Sequence, residues 1–172
     1  MIKKLLIFEN SGICLFSKQY GLSTPKEDDE LITGFLAALF GYVDSQFGRL
    51  DQIKTEDSIL LVSKIQGMFI TLVTSQIKSE NPLDKDEEKN RFLNHRLETT
   101  CKTQLGLIER KVSTLLLKLQ LRQEKTINYK TLFMDIEREL DKIIEQGQSK
   151  INIIKKLFKN HTISNALEIY KI

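Results

Sequence analysis

The chain has 172 residues, 41% of them hydrophobic and 28% charged, a length and balance that suit one soluble globular domain with room for an extension. Its 26 basic and 23 acidic residues leave a net charge of +3, too even to make nucleic acid the main partner, and no basic patch interleaved with aromatic residues supports base stacking. Cys14 and Cys101 stand far apart, in neither metal nor redox spacing, and read as two buried reduced thiols of a cytoplasmic protein.

The N-terminus begins like a signal peptide, but its apolar run stops at Glu9 and Asn10, and no cleavage site follows. No apolar run is long enough to span a bilayer, so the expectation is a soluble protein that at most lies on a membrane surface. Residues 3–8 and 13–18 are short apolar runs separated by Asn10-Ser11-Gly12, which supplies the positive φ of a hairpin turn. Residues 19–27, with Gly21, Ser23, Thr24 and Pro25, form a loop. Asp28, Asp29 and Glu30 suit the positive end of a helix dipole. Leu31, Ile32, Phe35, Leu36, Leu39, Phe40, Val43 and Phe47 then recur at helical spacing over about five turns, and Gly48 ends the helix.

Residues 50–55 form a short, charge-flanked strand. Two further apolar runs, 58–65 and 68–75, meet at Gln66-Gly67 as a second hairpin, and Asn81-Pro82 closes this part because proline cannot continue a ladder. Asp84 and Glu87 have the spacing of a capping box. After them Leu93, Leu97, Cys101, Leu105, Ile108, Val112, Leu116 and Leu119 advance by threes and fours, predicting one long helix near 85–122. A break around 125–128 leads to another helix with an apolar face of Tyr129, Leu132, Phe133, Ile136, Leu140, Ile143 and Ile144, ended by Gly147. Residues 150–159 and 163–170 form two short helical tails.

The order is strand, strand, helix, three strands, helix, helix. The four strong strands are apolar almost throughout, which means that both faces of their sheet are covered. The fold class that satisfies this is α+β: a five-stranded antiparallel sheet with one helix on one face and the long later helices on the other, plus a helical C-terminal extension. The domain limits that follow are 1–122 for the main domain and 123–172 for the extension, packed on or beside it.

This order resembles the longin domain, the SNARE-like fold. The opening hairpin of residues 2–16 and the helix that starts Asp29-Glu30-Leu31-Ile32-Thr33-Gly34-Phe35-Leu36-Ala37-Ala38-Leu39 are similar to those of longin-like and roadblock-like proteins, archaeal ones in particular. The resemblance covers residues 1–76 and extends to the helix from 85. It implies a non-catalytic platform that forms homo- or heterodimers and binds small GTPases or partners in membrane traffic. No SNARE motif with a membrane anchor follows, which argues against a longin SNARE, and roadblock relatives begin with a helix where this chain begins with a strand.

Gly34, Ala37, Ala38 and Gly41 are small and lie on adjoining faces of the first helix, where they either pack on the domain's own sheet or admit a partner's backbone. With Tyr42 they form the candidate interface, together with Arg49, Asp51 and Ile53 of the edge-strand region, whose charges blunt unwanted pairing or select a matched partner. The long helix carries more leucine than one stripe needs, Leu107, Leu117 and Leu121 included, so it requires a second partner from the last helices or from another subunit. In 150–159 a helical wheel gathers Ile151, Ile154, Leu157 and Phe158, with Lys155, Lys156 and Lys159 facing away, which suits the domain itself, a partner or weak contact with an anionic membrane.

His95 and His161 have no catalytic surroundings. No phosphate loop, zinc spacing, nucleophile elbow or dinucleotide fingerprint is present. The acidic pairs fall at helix starts. The expectation is therefore no enzyme and no cofactor, the alternative being a small-molecule sensor of profilin-like or PAS-like architecture.

Overall fold

The computed structural model describes residues 1–21, 28–76, 87–122 and 128–160. Pro25, the Asn81-Pro82 stop, Asp84, the break before Asn128, His161 and the tail at 163–170 lie outside the described residues. The elements are β1 (Ile2–Glu9), β2 (Cys14–Gln19), α1 (Asp29–Phe47), β3 (Gln52–Lys54), β4 (Ser58–Ile65), β5 (Met68–Ser75), α2 (Glu87–Arg122) and α3 (Tyr129–Asn160). The five strands form one antiparallel sheet in the order β2-β1-β5-β4-β3. This is the α+β succession of elements that the sequence suggests.

Local chemistry explains the two hairpins. Gly12 takes φ 91 after β1, and Gln66 and Gly67 take φ 44 and 82 between β4 and β5. These are left-handed conformations that a tight turn needs and that glycine adopts at little cost. At Gly12 there is also no room for a side chain, since a Cβ there would stand 2.7 Å from the Cα of Gly34.

Each central strand sends alternate residues to opposite faces. Leu5 and Ile7 of β1, Ile59 and Leu61 of β4, and Met68, Ile70 and Leu72 of β5 join the larger core. Leu6 and Phe8, Val62 and Phe69 point the other way, under α1. There Phe8, Phe40 and Phe69 form a triangle with ring centroids 5.1–6.1 Å apart, a spacing at which aromatic pairs are favourable.

The larger core lies between the sheet and an α2–α3 layer. Leu93, Leu97, Cys101, Leu105, Ile108, Val112 and Leu116 of α2 are buried, and from Leu97 onward they meet Phe133, Ile136, Leu140, Ile144 and Ile151 of α3 over the strands. This contact uses the one stripe of α2; of the leucines beyond it, Leu107 is half-buried, Leu117 is 55% exposed and the side chain of Leu121 lies outside the described residues. Ion pairs fasten α3 from outside: Lys18 of β2 reaches both Glu137 and Asp141, the latter at 2.8 Å, and the Tyr20 hydroxyl donates to Asp141 Oδ1 at 3.0 Å.

Three expectations need correction. Gly147 does not end a helix; α3 runs unbroken to Asn160. Gly147 is buried, and a Cβ on it would stand 2.6 Å from Cγ of Gln104 and 3.4 Å from Cδ1 of Ile2. The residue is a notch that lets α3 close on α2. The segment 150–159 is consequently the last part of α3 and no separate tail. Its Ile151 is 1% exposed and belongs to the core, Ile154 is half-buried, and the side chains of Leu157 and Phe158 lie outside the described residues. Finally, the edge strand is shorter than 50–55: β3 is Gln52–Lys54, and Asp51 and Thr55 on either side of it each add one backbone bond to β4.

Candidate functional site

The first helix is capped and docked at its N-terminal end by four neighbouring groups. Asp28 has extended backbone, and its Oδ1 accepts from the amides of Glu30 and Leu31 at 3.1 and 3.3 Å, an N-cap typically worth about 1 kcal/mol. Lys4 of β1 holds Asp29 at 2.5 Å. Burial works to raise the Asp29 carboxyl, but the bonds from Lys4 and Ser17 outweigh it and hold the group below its ordinary range. The fully buried Thr33 places its hydroxyl 2.7 Å from the carbonyl of Gly12, which ties α1 to the β1–β2 turn.

At the other end Asp44 accepts from Lys64 of β4 at 2.8 Å and from the Leu50 amide at 3.4 Å. The bond from Lys64 keeps the Asp44 carboxyl below its usual range. The Lys64 ammonium also lies 5.2 Å from the centre of the Phe69 ring. Both ends of α1 are therefore anchored, and its roll is set by Thr33, Leu36, Ala37 and Phe40, which face the sheet.

That roll leaves an unusual face outward. From residue 31 to residue 43 the helix contains no charged residue. A helix that is apolar all round belongs in an interior, yet α1 is covered on one side only. Leu31 is 72% exposed, Phe35 66% and Tyr42 61%, and Phe47 at the end of the helix is 78% exposed with its ring 6.3 Å from that of Tyr42. Spacing alone does not separate Leu31, Phe35 and Phe47, which the structure leaves outward, from Thr33, Leu36, Ala37 and Phe40, which it buries. An open groove of about 460 Å³ runs along the flank of this face, between Leu31, Ile32, Phe35 and Leu36 of α1 and a floor of Leu6, Leu60 and Val73, with Lys4 at its margin.

Of the candidate interface residues, Ala38, Gly41 and Tyr42 are exposed on this face and Gly34 is half-buried at its edge. Arg49 and Asp51 follow on the exposed segment between α1 and β3, 3.4 Å apart. Ile53 is half-buried and packs against the core under α1. Sequence periodicity misses Leu31, Phe35 and Phe47 as surface residues. The signal that finds them is the uncharged run itself, which exceeds what one side of a sheet can cover.

The other candidates are less organised. Lys155 is half-buried and Lys156 exposed, while the side chain of Lys159 lies outside the described residues. Exposed His95 lines a polar cleft of about 280 Å³ with Lys54, Gln76, Arg91, Asn94 and Glu98. Glu98 there takes one lysine on each oxygen, Lys54 and Lys102, both at 2.8 Å. Cys101 is fully buried, and burial pushes its thiol up to about 11, which removes it as a nucleophile at neutral pH. Among the described residues no group of His, Cys, Asp and Glu could hold a metal ion, and no helix is long and apolar enough to cross a membrane.

Comparison with protein-family models and with curated proteins gives no match. Solved structures similar to part of the chain include the gliding protein MglB from Thermus thermophilus, at 13% identity and a TM-score of 0.39 over 43% of this chain and 61% of that one. An MglB structure described as having a tetrameric arrangement aligns at 15% identity and a TM-score of 0.39, over 50% of this chain and 67% of that one. A Roadblock/LC7 domain from Streptomyces avermitilis aligns at 13% identity and a TM-score of 0.34, over 43% and 66%. The chain thus spans less than two thirds of the first of these proteins.

Proposed function

We propose that this chain is a non-catalytic protein-interaction module, a longin-like platform that forms homo- or heterodimers and binds or regulates a small GTPase or another partner of the membrane-traffic type. One observation carries the proposal: α1 presents a second apolar face, anchored at both ends and continuous with an apolar groove, that nothing in the chain covers among the described residues. Exposed apolar surface of this kind marks interaction sites. The short edge strand β3, with Arg49 and Asp51 beside it, borders the same region.

The test is retention of purified small GTPases, loaded with either nucleotide, by the wild-type chain and by a Phe35→Glu variant. The proposal expects retention in one nucleotide state and its loss in the variant. Absence of retention in both states would remove the GTPase from the proposal.

The groove supports a second reading, a sensor for a small apolar molecule. Its volume lies within the range of ligand sites, which is roughly 300–1,000 Å³. Native mass spectrometry that finds a small molecule bound to the purified chain would favour that reading over a docking platform.

A further inference from the structure

We infer that the C-terminal end of α3 seats the domain on an anionic lipid surface, through lysines that the fold leaves together and without an acidic partner. This surface is separate from the outer face of α1, and the inference goes beyond the proposal made for that face.

Charge is segregated along α3. Its acidic residues are Asp135, Glu137, Glu139, Asp141 and Glu145; from residue 146 to residue 160 it carries Lys150, Lys155, Lys156 and Lys159 and no acid. The acids are engaged, Glu137 and Asp141 with Lys18 and Glu139 with Lys111. Lysines elsewhere are engaged too: Lys4 holds Asp29, Lys64 holds Asp44, and Lys54 and Lys102 share Glu98. Lys150, Lys155 and Lys156 form no ion pair among the described residues.

The fold fixes the roll of this segment and adds a fourth cation to it. Ile151 is 1% exposed, and the Gln148 side-chain amide donates to the carbonyl of Ile2 at 2.8 Å, so the end of α3 lies against the start of β1. Lys150 and Lys156 are then exposed and Lys155 half-buried. Lys3 of β1 stands at the same end; its ammonium donates to Ser58 Oγ at 3.1 Å and forms no ion pair among the described residues. Lys155 and Lys3 both lie close enough to the Met1 amine to help burial hold that amine down at about 6.

The single chain gives no reason for this collection. A helix dipole favours lysines at its C-terminus, but the effect fades within the last turn. Because α3 runs to Asn160, Lys150 and Lys155 lie outside that turn. An anionic surface supplies the missing charge, and each lysine brought near one strengthens binding roughly fivefold. Ile153, 57% exposed, stands three residues from both Lys150 and Lys156, and Met1 is 37% exposed at the same end of the domain. Apolar side chains set among lysines suit the boundary between headgroups and acyl chains, which favours lipid over the phosphates of a nucleic acid. Since α1 packs on the opposite face of the sheet, a domain seated by this end keeps the outer face of α1 open to a protein partner.

Vesicle binding tests the inference. The wild-type chain is expected to float with vesicles of phosphatidylcholine and phosphatidylserine, and to be left behind by vesicles of phosphatidylcholine alone or when salt is raised. The chain has no tryptophan, so Ile153→Trp reports on this surface alone, and its emission should shift to the blue with the anionic vesicles only. Replacing Lys150, Lys155 and Lys156 together by glutamine should weaken flotation at least tenfold, with folding checked by circular dichroism. Lys142→Gln, on the acidic part of the same helix, and Phe35→Glu, on α1, should both float like the wild type. Binding to neither kind of vesicle, equal binding to both, or full binding by the folded triple variant would overturn the inference. Retention on a DNA duplex without flotation would overturn it in favour of nucleic acid. The comparison of vesicles needs no lysine variant, so it decides the matter even where the triple variant does not fold. Loss of flotation with GTPase retention intact would leave the α1 proposal standing.

Discussion

Replacing Gly147 by alanine separates the two things that a glycine inside a helix does. In an open helix the change stabilises by about 1 kcal/mol, because alanine is the better helix former. At Gly147 the new methyl would stand 2.6 Å from Cγ and 3.0 Å from Cδ of Gln104. Those atoms are the middle of a side chain that is only 1% exposed, so it has no solvent to retreat into. Forcing a methyl into a packed core costs about 1–3 kcal/mol. The clash wins, and the variant is expected to be less stable by about 1 kcal/mol, seen as a melting temperature about 2–4 °C lower. Gly106 of α2 is the control. A Cβ there meets nothing within 4 Å, so Gly106→Ala should stabilise by about 0.5–1 kcal/mol. Shortening the obstacle in a Gly147→Ala, Gln104→Ala double variant should recover at least about 1 kcal/mol of the clash as coupling energy. Urea unfolding followed by circular dichroism measures all of these stabilities. An alanine at 147 that stabilises as much as one at 106 would refute the notch.

Other consequences follow from the same contacts. Gly12→Ala meets both a φ of 91 and the Cα of Gly34 at 2.7 Å, so it should destabilise by about 3 kcal/mol in the same assay. Tyr20→Phe removes the bond to Asp141 but leaves Asp141 paired with Lys18, so the loss should stay near about 1 kcal/mol. Cys101 should resist a thiol reagent at pH 8 in the folded chain and react only on unfolding. Its thiol is raised by burial from 9.0 to about 11, so the unfolded state gives up its proton first and stability should fall as pH rises from 9 to 11. A Cys101→Ser variant that keeps the full alkaline slope would exclude this thiol as its source.

Much of the fold was legible because its signals are local. Asn10-Ser11-Gly12 and Gln66-Gly67 place positive φ where two apolar runs turn back, and the steps from Leu93 to Leu116 fit only a helix. Gly147 misled because glycine signals a helix end from the backbone alone, whereas its reason here is Gln104, far earlier in the chain on α2. The α3 wheel left its occupant open, because periodicity does not distinguish the domain's own core from a membrane or a partner, and Ile151 points at the core. On α1 the periodic signal was degenerate. With apolar residues all round between 31 and 43, spacing cannot say which side meets the sheet, and the choice is made by Thr33 on Gly12, Lys4 on Asp29 and Lys64 on Asp44. The candidate site was therefore half legible: Gly34, Ala38, Gly41 and Tyr42 from residue size and placement, but Leu31 and Phe35 only once the roll of the helix was fixed.

The account stands on one claim, that the outward face of α1 is bare in the single chain and covered in the working assembly. The rate at which a small thiol reagent labels Ala38→Cys, followed as protein is raised from dilute to concentrated or as a bound partner is added, tests it directly. Fast labelling in dilute solution that slows at least tenfold under cover is the predicted result. A rate that is slow at every concentration, or fast at every concentration and with every partner, would contradict it.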